Sequence, residues 1–241
     1  ISYYRRGTFD DGTPLGSAQN AECRIDSIAQ SWSVLSGMGS GERSRQAMDA
    51  VMENLVDREH GIIRLFTPPL VETPQDPGYI KAYPPGVREN GGQYTHAATW
   101  VVLALARQGR GDDAFACLDL LNPIKHALDA DAAERYRVEP YVIAADVYGE
   151  GERTGRGGWT WYTGSAGWLY RAAVEGILGI RKEGGRLFVN PALPSAWNGY
   201  GATLNLDGKK VTIRVDRGDD GGWQASVNGT VIKSSNEGYL L

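Results

Sequence analysis

The sequence predicts a mainly α fold with a C-terminal β unit, and three observations predict it. Apolar positions recur at helical spacing as far as about residue 178. The loops that open these helices are polar and rich in glycine. After Arg181 the pattern changes to period-two alternation around Asp-Gly and Asn-Gly turns. The expected division is a helical part over 1–180 and a small β part over 181–241. A chain of 241 residues is long enough to bury a large core in such an arrangement.

Residues 1–25 read as irregular, with turns at Asp10-Asp11-Gly12 and near Gly16. Asp26 is placed to cap a first helix through Ile28, Trp32 and Leu35, which Gly37-Met38-Gly39 ends. Ser40 or Gly41 opens a second helix through Ala47, Met48, Val51 and Leu55. Residues 57–91 form a long connection with prolines at 68, 69, 74, 77, 84 and 85. A connection of that length in a compact domain is usually functional. A third helix is expected from about Gly92 to Arg107, and a fourth capped by Asp112 through Phe115, Leu118 and Leu121. Pro140 suits the first turn of a fifth helix through Ala145 and Tyr148. A Gly-rich loop over 149–158 precedes a sixth helix from about Ser165 to Leu178. The pattern reads as three consecutive helical hairpins. In the β part, Gly185 to Val189 is a strand, and hairpins turn at Asp207-Gly208 and Asn228-Gly229.

The composition excludes several classes. The formal net charge is -4, and no basic run points to nucleic acid. No apolar run is long enough to span a bilayer. The first residues lack the apolar segment of a signal peptide, and the chain does not begin with Met. It is therefore expected to begin inside a longer protein. Cys23 and Cys117 are far apart in sequence and read as reduced thiols of a cytoplasmic protein.

The chemistry concentrates at two helix openings. Gly86 to Trp100 gathers Arg88, Glu89, Asn90, Gln93, Tyr94 and His96 within fifteen residues. One polar residue suffices to cap a helix, so this cluster suggests a site. His96 has no metal-spaced partner, because His60 and His126 are distant and no His-Glu-x-x-His pattern occurs. A His and an Arg near a helix start suit an oxyanion; the plainer alternative is a capping or core histidine. The second opening, Gly158-Trp-Thr-Trp-Tyr-Thr-Gly-Ser165, offers Thr163 and Gly164 at a helix start, where free N–H groups favour an anion. An ordinary Thr or Ser cap is the commoner use of such residues. Glu89 and Glu139 are the nearest carboxylates, suited to acid chemistry or to holding sugar hydroxyls; Glu139 before Pro140 also suits a helix cap. Trp159 and Trp161 suit stacking on sugars, whereas Trp100 and Trp168 at helical spacing read as core. Two such openings facing one cavity would bind a hydroxyl-rich ligand together with an anion. Arg217-Gly-Asp219 is set aside as a turn, and Asn228-Gly-Thr230 as a hairpin and not a glycosylation acceptor. No P-loop, dinucleotide fingerprint or nucleophile elbow is present.

Several blocks together resemble glycoside hydrolase family 94. They are Arg24-Ile-Asp-Ser-Ile-Ala-Gln-Ser-Trp32, Tyr83-Pro-Pro-Gly-Val-Arg-Glu-Asn-Gly-Gly92, Val138-Glu-Pro-Tyr-Val142 and Trp159-Thr-Trp-Tyr-Thr-Gly-Ser-Ala-Gly-Trp168. Gly12-Thr-Pro-Leu-Gly-Ser17 and Pro191-Ala-Leu-Pro-Ser-Ala-Trp197 extend the resemblance over nearly the whole chain. Tyr79-Ile-Lys-Ala-Tyr83 and Gln93-Tyr-Thr-His96 are most similar to the cyclic β-1,2-glucan synthase branch of that family. The resemblance implies half of an (α/α)6 toroid followed by a small β-sandwich-like domain. It implies inverting phosphorolysis of a β-glucoside, with inorganic phosphate as co-substrate and no other cofactor. By the family's pattern His96, Thr163 and Gly164 bind phosphate. Arg88, Glu89, Gln93, Tyr94, Glu139 and Trp161 are the candidate sugar-binding residues. The family's general acid stands in an Asp-Trp-Asn-Asp-Gly motif, which this sequence does not contain. It is expected upstream of Ile1, so that no catalytic residue is assigned here. The partners implied are a β-glucan oligosaccharide, phosphate, and the upstream part of the same polypeptide or a complementary chain. Placement is in the cytoplasm or as part of an inner-membrane synthase. The competing readings are a carbohydrate-binding or ring-size-controlling fragment without catalysis, and an (α/α)6 hydrolase, which needs a base carboxylate opposite the acid.

Overall fold

A two-strand ribbon, β1 (Gly7–Thr8) with β2 (Pro14–Leu15), leads into β3 (Ile25–Asp26). The computed structural model describes residues 3–219, 221–232 and 239–240. Asp26 ends β3 and accepts from the amides of Ile28 and Ala29, the cap the sequence predicts for α1 (Ser27–Leu35). Its carboxylate is buried and meets Arg6 at 2.6 Å. The helix α2 (Gly41–Asn54) returns against α1. The long proline-rich connection is not featureless. It carries β4 (Val56–Asp57), β5 (Ile62–Ile63) and β6 (Phe66–Thr67), and β6 pairs with β3.

The strand β7 (Gln93–Tyr94) opens directly into α3 (Thr95–Arg107), and α4 (Gly111–Leu120) folds back on it. Next come α5 (Ala130–Tyr136), β8 (Asp146–Val147) and α6 (Ser165–Arg171), which runs on into a π-helical stretch, Ala172–Ile177. The β part has two antiparallel sheets. β9 (Ile180–Glu183), β10 (Arg186–Val189) and β15 (Tyr239–Leu240) form one. β11 (Gly199–Leu206), β12 (Lys209–Arg217), β13 (Trp223–Val227) and β14 (Thr230–Ile232) form the other in sequence order. Both hairpin turns fall where expected: Asp207-Gly208 and Asn228-Gly229 take positive φ at both positions. Along β12, Val211, Ile213 and Val215 are buried in alternation and join the core that also holds Met48, Val101 and Leu105.

Four expectations are corrected. Residues 140–148 are not a helix: after a turn closed by Val142 N–H to Glu139 C=O, the chain extends into β8, which pairs with β7. The fifth helix lies earlier and is capped by Asp129, whose carboxylate accepts from the Ala132 amide. Asp112 does not cap α4, whose cap residue is Arg110. The Asp112 carboxylate instead accepts from the amide (2.7 Å) and hydroxyl (3.0 Å) of Ser195, tying α4 to the segment before β11. The third helix starts at Thr95 and not at Gly92, because Gln93 and Tyr94 are spent on the strand pair. The helices therefore form two hairpins, α1–α2 and α3–α4, with α6 packed alone on α3.

Three helices, α1, α3 and α6, start at one end. Ser27 N–H donates to Leu65 C=O and Leu65 N–H to Gly92 C=O. Thr95 N–H donates to Ala145 C=O (2.9 Å) and Ala145 N–H to Trp159 C=O (2.6 Å). This backbone relay ties the start of α1 to that of α3 and to the loop before α6. At the far end Arg107 donates to Leu35 C=O, and Gly176 lies against Leu103 and Ala106. The helices are thus parallel, and an edge-to-face tryptophan ladder crosses them: Trp32 to Trp100 at 5.5 Å, then Trp100 to Trp168 at 5.7 Å.

Leu105, fully buried in the last turn of α3, should cost about 2–5 kcal/mol of folding stability when replaced by Ala. The exposed Val231→Ala should stay within about 0.5 kcal/mol. Urea unfolding of the two variants checks this, and equal losses would contradict the assigned core.

Candidate functional site

His96 is the second residue of α3, and the fold brings it to the start of α6, 69 positions away. Its Nδ1 lies 3.2 Å from Ser165 Oγ. Its Nε2 faces Gly164 so closely that a Cβ there would sit 3.1 Å away. Glycine at 164 thus leaves the second ring nitrogen room beside the backbone. Thr163 Oγ1 accepts from the Ser165 amide (3.1 Å) and is 2.7 Å from Ser165 Oγ. The Thr163 hydroxyl therefore stabilises the helix start, as the plainer sequence alternative has it, and at the same time continues a hydroxyl chain to His96. The His96 ring stacks on Tyr94 with centroids 5.4 Å apart. Burial lowers the His96 pKa, so the ring is held neutral more firmly than a free histidine.

Tyr94 connects this group to a second one. Burial raises the Tyr94 pKa, with Glu89 adding to the rise. Arg88, in the left-handed region at φ 50°, brings its Nε within 3.6 Å of Glu89 Oε2. Those two atoms are buried and have no hydrogen-bond partner among the described residues. Buried polar atoms without partners are uncommon, so the pair has bonding capacity left for a further group. The Arg88 guanidinium also lies over the rings of Tyr83 and Trp159, 5.5 Å from each centroid. Asn90 holds the turn from behind, bonding Leu70 N–H and C=O and Tyr83 C=O.

Glu139 is exposed and accepts from Trp161 Nε1 at 3.1 Å. Its pKa is lowered by its own backbone N–H and by that indole donor. Trp161 is 68% exposed and takes φ 61°, a left-handed conformation uncommon for a large side chain. Tyr141, also exposed, stands at 6.3 Å from it. Trp161, held by the Glu139 carboxylate, and Tyr141 thus present two aromatic rings to solvent.

One sequence candidate, Gln93, is engaged within the fold. Gln93 is buried; its Oε1 accepts from Ile63 N–H (2.9 Å) and its Nε2 donates to Thr95 Oγ1 (3.3 Å). Its amide serves the join between β5 and β7. One residue was missed, Asp146 of β8. It is 2% exposed, accepts from Trp159 N–H at 2.9 Å, and faces the Arg88 and Glu89 charges. It sits in the apolar run Val142–Val147, which read as a helix, so its register opposite Tyr94 was not visible. Among the described residues no cluster of three or more His, Cys, Asp or Glu side chains could hold a metal ion. Cys23 and Cys117 are free and buried, and burial pushes both thiols up to about 12. No helix among the described residues is long and apolar enough to cross a membrane.

Because burial lowers the His96 pKa, its folded state resists protonation more than the unfolded chain does. The stability this contributes is complete above the free-histidine value, about 6.5, and is lost as pH falls through the folded value. An NMR titration of the His96 ring in the folded chain should show a midpoint below about 6.5. A midpoint above it would contradict the desolvated environment.

Comparison with known proteins gives the family of the chain. The profile described as "Glycosyl hydrolase 94 superfamily, catalytic domain" matches residues 2–179. That described as "Glycosyl hydrolase family 65, C-terminal domain" matches residues 180–219. The chain is 66% identical over 240 residues to cyclic beta-(1,2)-glucan synthase NdvB of Rhizobium meliloti (strain 1021), covering 99% of this chain and 8% of that protein. It is 35% identical over 219 residues to N,N'-diacetylchitobiose phosphorylase of Vibrio proteolyticus, covering 90% of this chain and 27% of that protein. Against 1,2-beta-oligoglucan phosphorylase of Listeria innocua serovar 6a it is 28% identical over 148 residues, 56% of this chain and 14% of that protein. The chain thus spans about a quarter or less of the length of these relatives. With three quarters of its residues, 2–179, in the match, the chain belongs to the glycosyl hydrolase 94 superfamily.

Proposed function

We propose that this chain supplies the phosphate- and sugar-binding part of an inverting β-glucan phosphorylase or cyclic β-1,2-glucan synthase domain. The observation that carries the reading is the meeting of His96 with Thr163-Gly164-Ser165 across the starts of two helices. Inorganic phosphate, as co-substrate, sits beside His96 Nε2, against the first turn of α6. Thr163 donates to Ser165 Oγ, which donates to His96 Nδ1, leaving Nε2–H as the donor to a phosphate oxygen. A neutral ring suits this role, because it donates without needing a proton from the solvent. The helix start adds its unpaired N–H groups and partial positive charge.

The glucan lies on the other side of Tyr94. Arg88 and Glu89 hold hydroxyls of the reacting sugars, and Trp161 with Glu139 and Tyr141 receives a sugar further along the chain. Phosphate then attacks the anomeric carbon from the face opposite the leaving oxygen, which inverts the configuration. The acid that protonates that oxygen comes from an Asp-Trp-Asn-Asp-Gly motif in the remainder of the enzyme, since this sequence has none. The parallel inner helices α1, α3 and α6, backed by α2 and α4, are one side of an (α/α)6 toroid that this remainder completes. A binding-only reading draws on the same aromatic rim and differs in requiring no phosphate.

Calorimetric titration with inorganic phosphate and, separately, with a β-1,2-linked gluco-oligosaccharide tests the assignment. His96→Ala should weaken phosphate binding by about 1.5–3 kcal/mol, roughly ten- to a hundredfold, and leave the sugar nearly unchanged. Glu89→Gln should do the reverse. Loss of sugar binding with phosphate unchanged in His96→Ala would overturn the roles.

The chain by itself should release no glucose 1-phosphate from β-1,2-glucan, because a general acid contributes about two to four orders of magnitude. A phosphate-dependent release at the rate of full-length relatives would contradict this and make Glu89 or Glu139 the acid.

A further inference from the structure

Asp146 is a buried carboxylate with no role in the chemistry above, and its neighbours come from both walls of the site. Its backbone is in register with Tyr94, two residues before His96. Its Oδ1 accepts from Trp159 N–H (2.9 Å), and its C=O accepts from Gly158 N–H (2.9 Å). Gly158 lies flat against the carboxyl group, where any Cβ would collide with it. Arg88 and Glu89 face the same carboxylate from the turn before β7. A buried charged acceptor costs desolvation, so an ordinary loop tie would more cheaply use a backbone carbonyl. Here the burial raises the Asp146 pKa; the Trp159 amide and Arg88 oppose the rise, and Glu89 adds to it.

We infer that Asp146 is a positioning residue: its carboxylate pins Trp159, and hence the loop running to Thr163-Gly164, against the strand that carries Tyr94 toward His96. The Asp146 side chain thus adds to the backbone bonds, Ala145 N–H to Trp159 C=O and Gly158 N–H to Asp146 C=O, in fixing the distance between the sugar-facing and phosphate-facing groups. Its effect on ligand binding rests on the phosphate reading proposed above; its effect on the loop does not.

Hydrogen exchange and phosphate titration of the intact chain, on Asp146→Ala and Asp146→Asn, test this. Asp146→Ala should raise exchange by about tenfold or more at Trp159 and through Thr163–Ser165, with α2 and α4 unchanged. It should weaken phosphate about tenfold with a smaller effect on the oligosaccharide. Asp146→Asn keeps an oxygen for the Trp159 amide, so it should restore protection and bring phosphate affinity within about threefold of the parent. Uniform loss of protection across all helices in Asp146→Ala would make Asp146 a general core residue and overturn the inference. So would unchanged exchange over 159–165, or an Asn variant as impaired as the Ala variant. If the parent chain binds no phosphate while Asp146→Ala loosens 159–165 and Asn restores it, the phosphate reading fails and the positioning role stands.

Discussion

The structure depends on a backbone hydrogen-bond relay that crosses the molecule at one level. From Ser27 it passes through Leu65 and Gly92 to the β7–β8 pair, then through Ala145 to Trp159. Two of its bonds, from the Ser27 and Thr95 amides, satisfy main-chain groups that the starts of α1 and α3 would otherwise leave open. The consequence is geometric. Three helices begin at the same level, so their free N–H groups and dipole ends point into one region. The polar side chains of the two openings are brought together because the relay leaves them nowhere else to begin. The tryptophan ladder below it keeps α1, α3 and α6 side by side.

Within that region the groups divide by charge and polarity. His96, Thr163, Gly164 and Ser165 offer donors and a neutral ring beside a helix start. Arg88 and Glu89 are a partly buried ion pair with bonding capacity left over. Replacing either would leave the other charge uncompensated, so the pair is costly to keep unless a ligand uses it. The exposed Trp161 at positive φ is a further local cost. Such local costs cluster at functional sites.

How much of this was legible in the sequence follows from the range of the interactions. Local devices were readable: the Asp26 cap, the Asp-Gly and Asn-Gly hairpins, and the glycine exit of α1 involve residues within a few positions. The openings at 86–100 and 158–165 were readable because they hold more polar groups than a cap needs. Where distant pairing decides, the reading failed. Residues 142–147 have helical composition, yet they extend to pair with Gln93 and Tyr94. Asp112 has the position of a cap and is used by Ser195 instead. Gln93 looked like a ligand group and is used by Ile63. Asp146 is the sharpest case, since its role exists only once Tyr94 and Trp159 are its neighbours.

The central claim is that two helix openings share one oxyanion, and a crystal of this chain grown with saturating inorganic phosphate tests it most directly. The account predicts a phosphate whose oxygens lie at about 3 Å from His96 Nε2 and from the first-turn amides of α6. Phosphate bound elsewhere, or these groups separated beyond the reach of a single anion, would contradict it.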